Sequence, residues 1–243
     1  LGRGEDLKNP SQTNIYRFFD QYYVPNNMAI VLSGDFDPEE AVALAERHFG
    51  HFRPKPLPAF HFEQQPELST RVRRDVYGQE ATWVEMGWRF PGADTDEALM
   101  LPLISGILHN YQAGLFDLHL LQAQKVLEAY AYPRVYEDYS SMVLYGKPRE
   151  GQTLEAVENL LWQEIENLRQ GNFEDWLPEA VVKDLKLSET KEFEKNQGRA
   201  AAITTAYILG VKWADMVHRW EKLAAITKAD IVAFAQKHLR PDN

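Results

Sequence analysis

The sequence contains no cysteine. That excludes disulfides, cysteine-ligated zinc and a cysteine nucleophile, and it fits cytoplasm and periplasm equally well. No apolar run approaches the roughly 20 residues a helix needs to span a bilayer. Positive charge is scarce: 26 Lys and Arg stand against 36 Asp and Glu, a formal net charge of −10. Nucleic-acid-binding domains usually carry a basic patch on a basic background, so nucleic acid is not an expected partner. Neither a G-x-S-x-G nucleophile elbow nor a G-x-x-x-x-G-K phosphate loop occurs. No signal-peptide pattern is visible, and residue 1 is Leu rather than Met.

The rest of the composition is that of a folded protein, with 44% hydrophobic and 26% charged residues. At 243 residues the chain has room for one large domain or two smaller ones.

The stretch Tyr22–Phe52 organises the reading. Met28 to Leu32 is an unbroken apolar run of strand length. Pro25, Asn26 and Asn27 turn into it, and Gly34-Asp35 ends it. Asp37 then caps a helix, with Pro38 at the first helical position, Glu40 at capping-box spacing, and Gly50 at the C-terminal cap. Upstream, Asn9 and Pro10 open a helix whose Ile15, Phe18, Phe19 and Tyr22 form one apolar stripe, expected to pack in a core.

Pro54, Pro56, Pro58 and Pro66 break any regular element. The expected organisation is therefore residues 1–53 as the end of one α+β domain, 54–69 as a proline-rich linker, and 70–243 as a second α+β domain. In that second part, Thr70–Tyr77 and Ala81–Phe90 read as a strand pair around Gly78-Gln79. A helix follows from Asp94 or Thr95 to about Tyr111, interrupted or bent near Pro102, then a short helix over Leu115–Gln124. Val126–Tyr132 and Ser140–Tyr145 read as a second strand pair. Thr153 caps a helix with its stripe at Val157, Leu160, Leu161, Ile165 and Leu168, closed by Gly171. The remainder is helical, at about Leu177–Ser188, Lys191–Leu209, Ala214–Ala225 and Lys228–Leu239, the last capped by Thr227. Strand pairs followed by helices predict an α+β fold, an antiparallel-rich sheet with helices on one face.

The word Y-x-P-N-N-M at Tyr23, the strand, G-D-F-D, the helix ending H-F-G, and I-L-G-x-x-W at Ile208 together resemble the pitrilysin/insulinase-type zinc metallopeptidases. The resemblance implies the pitrilysin/mitochondrial-processing-peptidase fold, the end of that family's first domain and its second, non-catalytic domain. It also implies an excised or processed piece, with zinc held by an H-x-x-E-H motif of the parent, lying before Leu1. No H-x-x-E-H occurs here, so no zinc is expected in this chain. His218-x-x-Glu221-Lys222 places a lysine, normally protonated, where the second ligand belongs. His48 and His51 straddle a helix end, His109 and His119 lack a second ligand in register, and Glu128, Glu137 and Asp138 read as solvated acids.

The resemblance further implies an arginine and a tyrosine that reach the substrate from a word like L-R-E-x-x-G-L-A-Y. In the best match, Leu121–Ala129, Gln122 falls on the arginine and Ala129 on the tyrosine. Tyr130 is one residue off, and on a strand that points it to the opposite face. Gln122, Lys125 and Tyr130 are the substrate-contact candidates, with plain packing the blander reading of Gln122 and Lys125. The function implied is a non-catalytic part of a zinc metalloendopeptidase, walling a peptide-binding chamber. The alternative is a scaffold or peptide-binding subunit. Expected partners are the catalytic domain of the same parent or of another subunit, a peptide, and a second copy pairing along an open strand edge.

Overall fold

The computed structural model describes residues 3–242. The chain divides into two compact units, one running up to Gln65 and including Asn196–Thr204, the other comprising Pro66–Lys195 and the residues from Thr205 onward.

The first unit holds α1 (Gly4–Lys8), α2 (Gln12–Tyr22), a 3-10 turn (Pro25–Asn27) and α3 (Pro38–Phe49). The cap of α2 is Ser11, not Asn9: its Oγ accepts from the Asn14 N–H at 3.3 Å. Asp37 caps α3, accepting from the Glu40 N–H at 3.0 Å. Asn26 ties the turn to the proline-rich stretch, donating to the Lys55 carbonyl at 3.0 Å and accepting from the Lys55 N–H at 3.1 Å.

The expected core of this unit is not closed. Met28–Leu32 is extended but pairs with no strand among the described residues. Ile15, Phe18 and Phe19 remain more than half exposed, and so do Met28, Ile30 and Leu32. The stripe and the apolar run form as the sequence predicts, but among the described residues of this unit no sheet covers them. A lone strand flanked by short helices cannot bury both its faces. An apolar groove of about 580 Å³, lined by Ile30, Leu32, Leu44, Ala45, Phe49 and Phe52, is the result.

The second unit carries the core. Its sheet consists of β1 (Val84–Pro91), β2 (Glu128–Val135) and β3 (Tyr139–Lys147), all antiparallel, in the order β1-β3-β2. The expected hairpin between Thr70–Tyr77 and β1 is not formed. Thr70–Tyr77 is irregular, and β1 pairs with β3 instead. The arginines of that segment are engaged elsewhere. Arg71 pairs with Glu158, and Arg73 reaches Glu155 at 3.0 Å. Pro133 lies inside β2, not in a loop. It is tolerated because β2 is an edge strand, where a missing N–H can face away from the ladder.

Residue alternation assigns the two faces of the sheet. Trp88, Phe90, Ala129, Ala131, Met142 and Leu144 are buried. They meet α4 (Asp96–Leu108) and α5 (Leu154–Gln170), whose Leu101, Leu103, Ile104, Leu161, Ile165 and Leu168 are fully buried. Helix α4 is capped by Thr95 and runs through Pro102. Ser105 on it donates to the Ala131 carbonyl of β2 at 2.7 Å. Close approach of α5 needs Gly146, where a Cβ would sit 2.6 Å from Val157 Cγ1. Helix α5 is capped by Thr153 and ends in Gly171, whose φ of +73° is the left-handed conformation that glycine adopts without penalty.

A π-helical turn (Asp117–Gln122) stands where a short helix was expected. The chain closes with α6 (Leu177–Phe193), α7 (Asn196–Ile208), α8 (Trp213–Ala225) and α9 (Lys228–His238). A break at Glu194–Lys195 replaces the continuous start expected at Lys191. Helix α9 packs Phe234 flat on Phe90 of β1, with ring centres 5.6 Å apart. Among the described residues the fold is thus a mixed α+β arrangement, a three-stranded antiparallel sheet with helices on one face.

Candidate functional site: the open face of the sheet

The face of the sheet turned away from α4 and α5 is built by the other half of the alternation. Register places Glu85, Tyr145 and Tyr130 in one row across β1, β3 and β2, and Gly87, Val143 and Tyr132 in the next. Rings therefore meet across the strands. Trp83, just before β1, lies 5.6 Å from Tyr145, and Tyr145 stacks on Tyr130 at 5.7 Å. Tyr130 in turn meets the edge of His109 at 5.3 Å, and His109 meets Tyr111 at 4.3 Å.

The far end of this row is held by a polar knot. The Asn110 carboxamide oxygen accepts from the N–H groups of Gln112 at 3.0 Å and Ala113 at 2.8 Å. Asp117 accepts from the N–H groups of Asn110 at 2.8 Å and Gly114 at 3.0 Å. This loop presents Tyr111, 81% exposed, at a φ of +66°, a conformation rarely adopted by a bulky residue.

Beneath it, His109 Nδ1 lies 2.8 Å from Asp117 Oδ1, close but poorly aligned for a hydrogen bond. Burial pushes the Asp117 carboxyl up, while His109 and the Asn110 and Gly114 N–H groups pull it down. The balance is a pKa below the ordinary value. His109 Nε2 is buried without a hydrogen-bond partner.

The charged side chains of the face are engaged with one another. Lys147 donates to Glu128 at 3.1 Å, and Arg134 lies 3.7 Å from Glu85 and over the Tyr132 ring. Arg89 lies over the ring of Tyr139 and donates to the Pro66 carbonyl. Burial, with Glu128 nearby, raises the Tyr145 pKa above its usual value, so this ring stays neutral through the physiological range.

The structure treats the three sequence candidates differently. Tyr130 sits on the open face, and Ala129, on the opposite face, is fully buried in the core. Gln122 is exposed and donates to the Gln112 carbonyl at 3.2 Å, so it clasps the loop that carries Tyr111. Lys125 is exposed in the turn before β2, where its carbonyl accepts from Gln152 at 2.9 Å. Gln122 and Tyr130 thus meet one loop from two sides, and Lys125 stands apart.

Sequence reasoning missed two histidine–carboxylate pairs. The partner of His109 is Asp117, and that of His119 is the buried Glu164, at 2.7 Å. The second pair joins residues 45 positions apart, beyond any local pattern. Glu128 lies at the opposite end of β2 from Glu137 and Asp138, so these acids do not form a cluster.

Zinc is the metal implied by the family resemblance, and the residues present do not fit it. Among the described residues no three His, Cys, Asp or Glu side chains converge to hold an ion. His218 pairs with Glu221 within one exposed helical turn, at 3.1 Å. No step of hydrolysis is therefore assigned to this chain.

The Peptidase M16 inactive domain matches residues 11–185, and the chain belongs to this peptidase family through that domain. Among curated proteins it is similar to the zinc protease PqqE of Helicobacter pylori, 20% identical over 203 residues, covering 81% of this chain and 44% of that one. The chain thus spans less than half the length of that relative.

Among solved structures the fold is similar to a protease from Helicobacter pylori, with a TM-score of 0.88 and 16% identity over 99% of this chain and 59% of that one. It is also similar to an M16-like peptidase from Alicyclobacillus acidocaldarius, with a TM-score of 0.77 and 17% identity over 100% and 58%.

Proposed function

We propose that this chain is the non-catalytic portion of a zinc-dependent metalloendopeptidase, and that the open sheet face of its second unit forms one wall of the peptide-binding chamber. The observation that carries this reading is the row of rings on the open face of the sheet. One face is sealed by α4 and α5, while the other stays open and bears rings and mutually paired charges. An antiparallel sheet commonly leaves one face to solvent, but such a face is ordinarily polar rather than a row of contacting rings. The family match to an inactive M16 domain and the zinc-protease name of the relative support a parent that holds its metal elsewhere.

The first unit fits the same reading. Its apolar groove and unpaired Met28–Leu32 segment have the character of a sheet layer awaiting neighbouring strands. In this proposal the catalytic domain of the parent supplies them.

A second reading is favoured by one observation. Gln122 and Ala129 stand where the family resemblance places an arginine and a tyrosine, and Ala129 is buried. A chain lacking that pair suits a scaffold or peptide-binding subunit.

Assembly tests the proposal. Co-expressed as separate polypeptides, the zinc-bearing domain of the parent and this chain should co-purify as a 1:1 complex. Leu44→Asp, in the groove of the first unit, should weaken that complex. Two pieces that fold and never associate would overturn the proposal.

A further inference from the structure

The open face is set up to read ring chemistry rather than charge. We infer that it is a subsite for the aromatic or large apolar side chain of an extended, locally uncharged peptide segment, received by the row Trp83, Tyr145, Tyr130, His109 and Tyr111. The inference rests on the chamber-wall reading above and names what that wall selects.

Three observations carry it. The first is the row itself, with successive ring centres 4.3 to 5.7 Å apart. Trp83 at one end is 45% exposed and Tyr111 at the other 81%. A flat or branched apolar side chain gains both buried area and quadrupole contacts against such rings.

The second is charge. Lys147 is paired with Glu128 and Arg134 with Glu85, while Arg89 is engaged by the Tyr139 ring and the Pro66 carbonyl. A charged peptide side chain would have to break one of these contacts or be desolvated without a partner. The face therefore discriminates against both signs.

The third is the end of the row. Tyr111 is held at a positive φ by the Asn110 and Asp117 hydrogen bonds, and backbone strain maintained by its surroundings tends to mark ligand clamps. His109 is over nine-tenths buried, with Nε2 unpartnered, in contact with Tyr111 and Tyr130. His109 thus backs the end of the row from beneath, and the rings of Tyr111 and Tyr130 above it are the surface a ligand can touch.

The test is direct binding of three capped, otherwise all-alanine peptides carrying a central Phe, Asp or Lys, followed by saturation-transfer NMR on the full chain. The Phe peptide should bind saturably and about tenfold more tightly than either charged peptide. Trp83→Ala and Tyr145→Leu should each weaken it about fivefold, roughly the worth of one ring contact. Trp83 precedes the sheet, so Trp83→Ala should keep the wild-type melting temperature and guard against a folding artefact. Leu44→Asp, in the other unit, should leave Phe-peptide binding unchanged.

Equal binding of the three peptides overturns the inference. So does the absence of saturable binding, or a loss caused by Leu44→Asp and not by the ring variants. The chamber-wall reading fails separately, through the co-purification experiment. If the complex forms and the Phe peptide shows no preference, the subsite is wrong and the wall stands.

Discussion

His119 Nδ1 lies 2.7 Å from Glu164 Oε2 and joins the π-helical turn to helix α5. Glu164 is only 3% exposed, and its other partner is the Asn167 carboxamide at 2.8 Å. A buried acceptor that loses a partner costs more than the contact was worth, because its desolvation is no longer offset. His119→Ala should therefore destabilise the chain by about 1–3 kcal/mol. Glu164→Gln, which keeps a hydrogen-bonding group there, should cost less than Glu164→Ala. Urea denaturation of the three variants checks the order.

Asp117 sets an acid limit. Its folded pKa lies below the ordinary value, despite burial, because His109 and two backbone N–H groups favour the carboxylate. A depressed carboxyl stabilises the fold above its unfolded pKa of about 4 and loses that contribution as pH falls through the folded value. Stability should thus drop as pH falls below about 4. Asp117→Asn should lower stability at neutral pH and flatten that acid limb. Thermal midpoints at a series of pH values would show whether the slope is unchanged in the variant, which would remove Asp117 from the account.

Gly146 measures how tightly the helix layer sits on the sheet. A Cβ there would meet Val157 Cγ1 at 2.6 Å and Leu161 Cδ1 at 3.0 Å. Gly146→Ala should cost about 1–3 kcal/mol by overpacking. Adding Val157→Ala should recover part of that loss, even though Val157→Ala alone destabilises. Strict additivity in the double-mutant cycle would contradict the contact.

Proteolysis should find the proline-rich stretch first. Residues 53–69 have no regular structure and are exposed throughout. Beyond them, Arg71 and Arg73 are fastened to Glu158 and Glu155 of α5. Under a brief digest the first cuts should fall between Arg53 and Ser69, leaving the part from Thr70 onward folded. A first stable cut inside Thr153–Gly171, read by mass spectrometry, would refute this division.

Much of the helical layer was legible in the sequence because helix ends are local events. Asp37, Thr153 and Thr227 each cap the helix assigned to them, and Gly171 ends α5. The helices-on-one-face arrangement followed from strand pairs preceding a helical run. Strand partnership was less legible, since it is decided across long separations. The alternation expected over Ala81–Phe90 holds from Val84 onward, yet β1 pairs with Tyr139–Lys147 and not with the adjacent Thr70–Tyr77.

The open face could be read only in part. Placing Tyr130 and Ala129 on opposite faces required just the period of two along a strand. Stacking of Tyr130 on Tyr145 required the β2–β3 register, and His109 enters the row only through the irregular loop after α4. Met28–Leu32 was legible as an apolar extended run. Its exposure was not, because strand pairing is decided by partners distant in sequence, and among the described residues none pairs with it.

The most direct test of the account is the cleavage rate of a quenched, uncharged, Phe-containing peptide by the zinc-bearing domain of the parent, measured with and without this chain at matched zinc content. The account predicts that the zinc-bearing domain alone is slow, this chain alone is inactive, and the two together cleave at least about tenfold faster, which by transition-state arithmetic is about 1.4 kcal/mol of barrier. Cleavage by the zinc-bearing domain that is equally fast without this chain would contradict the chamber-wall role.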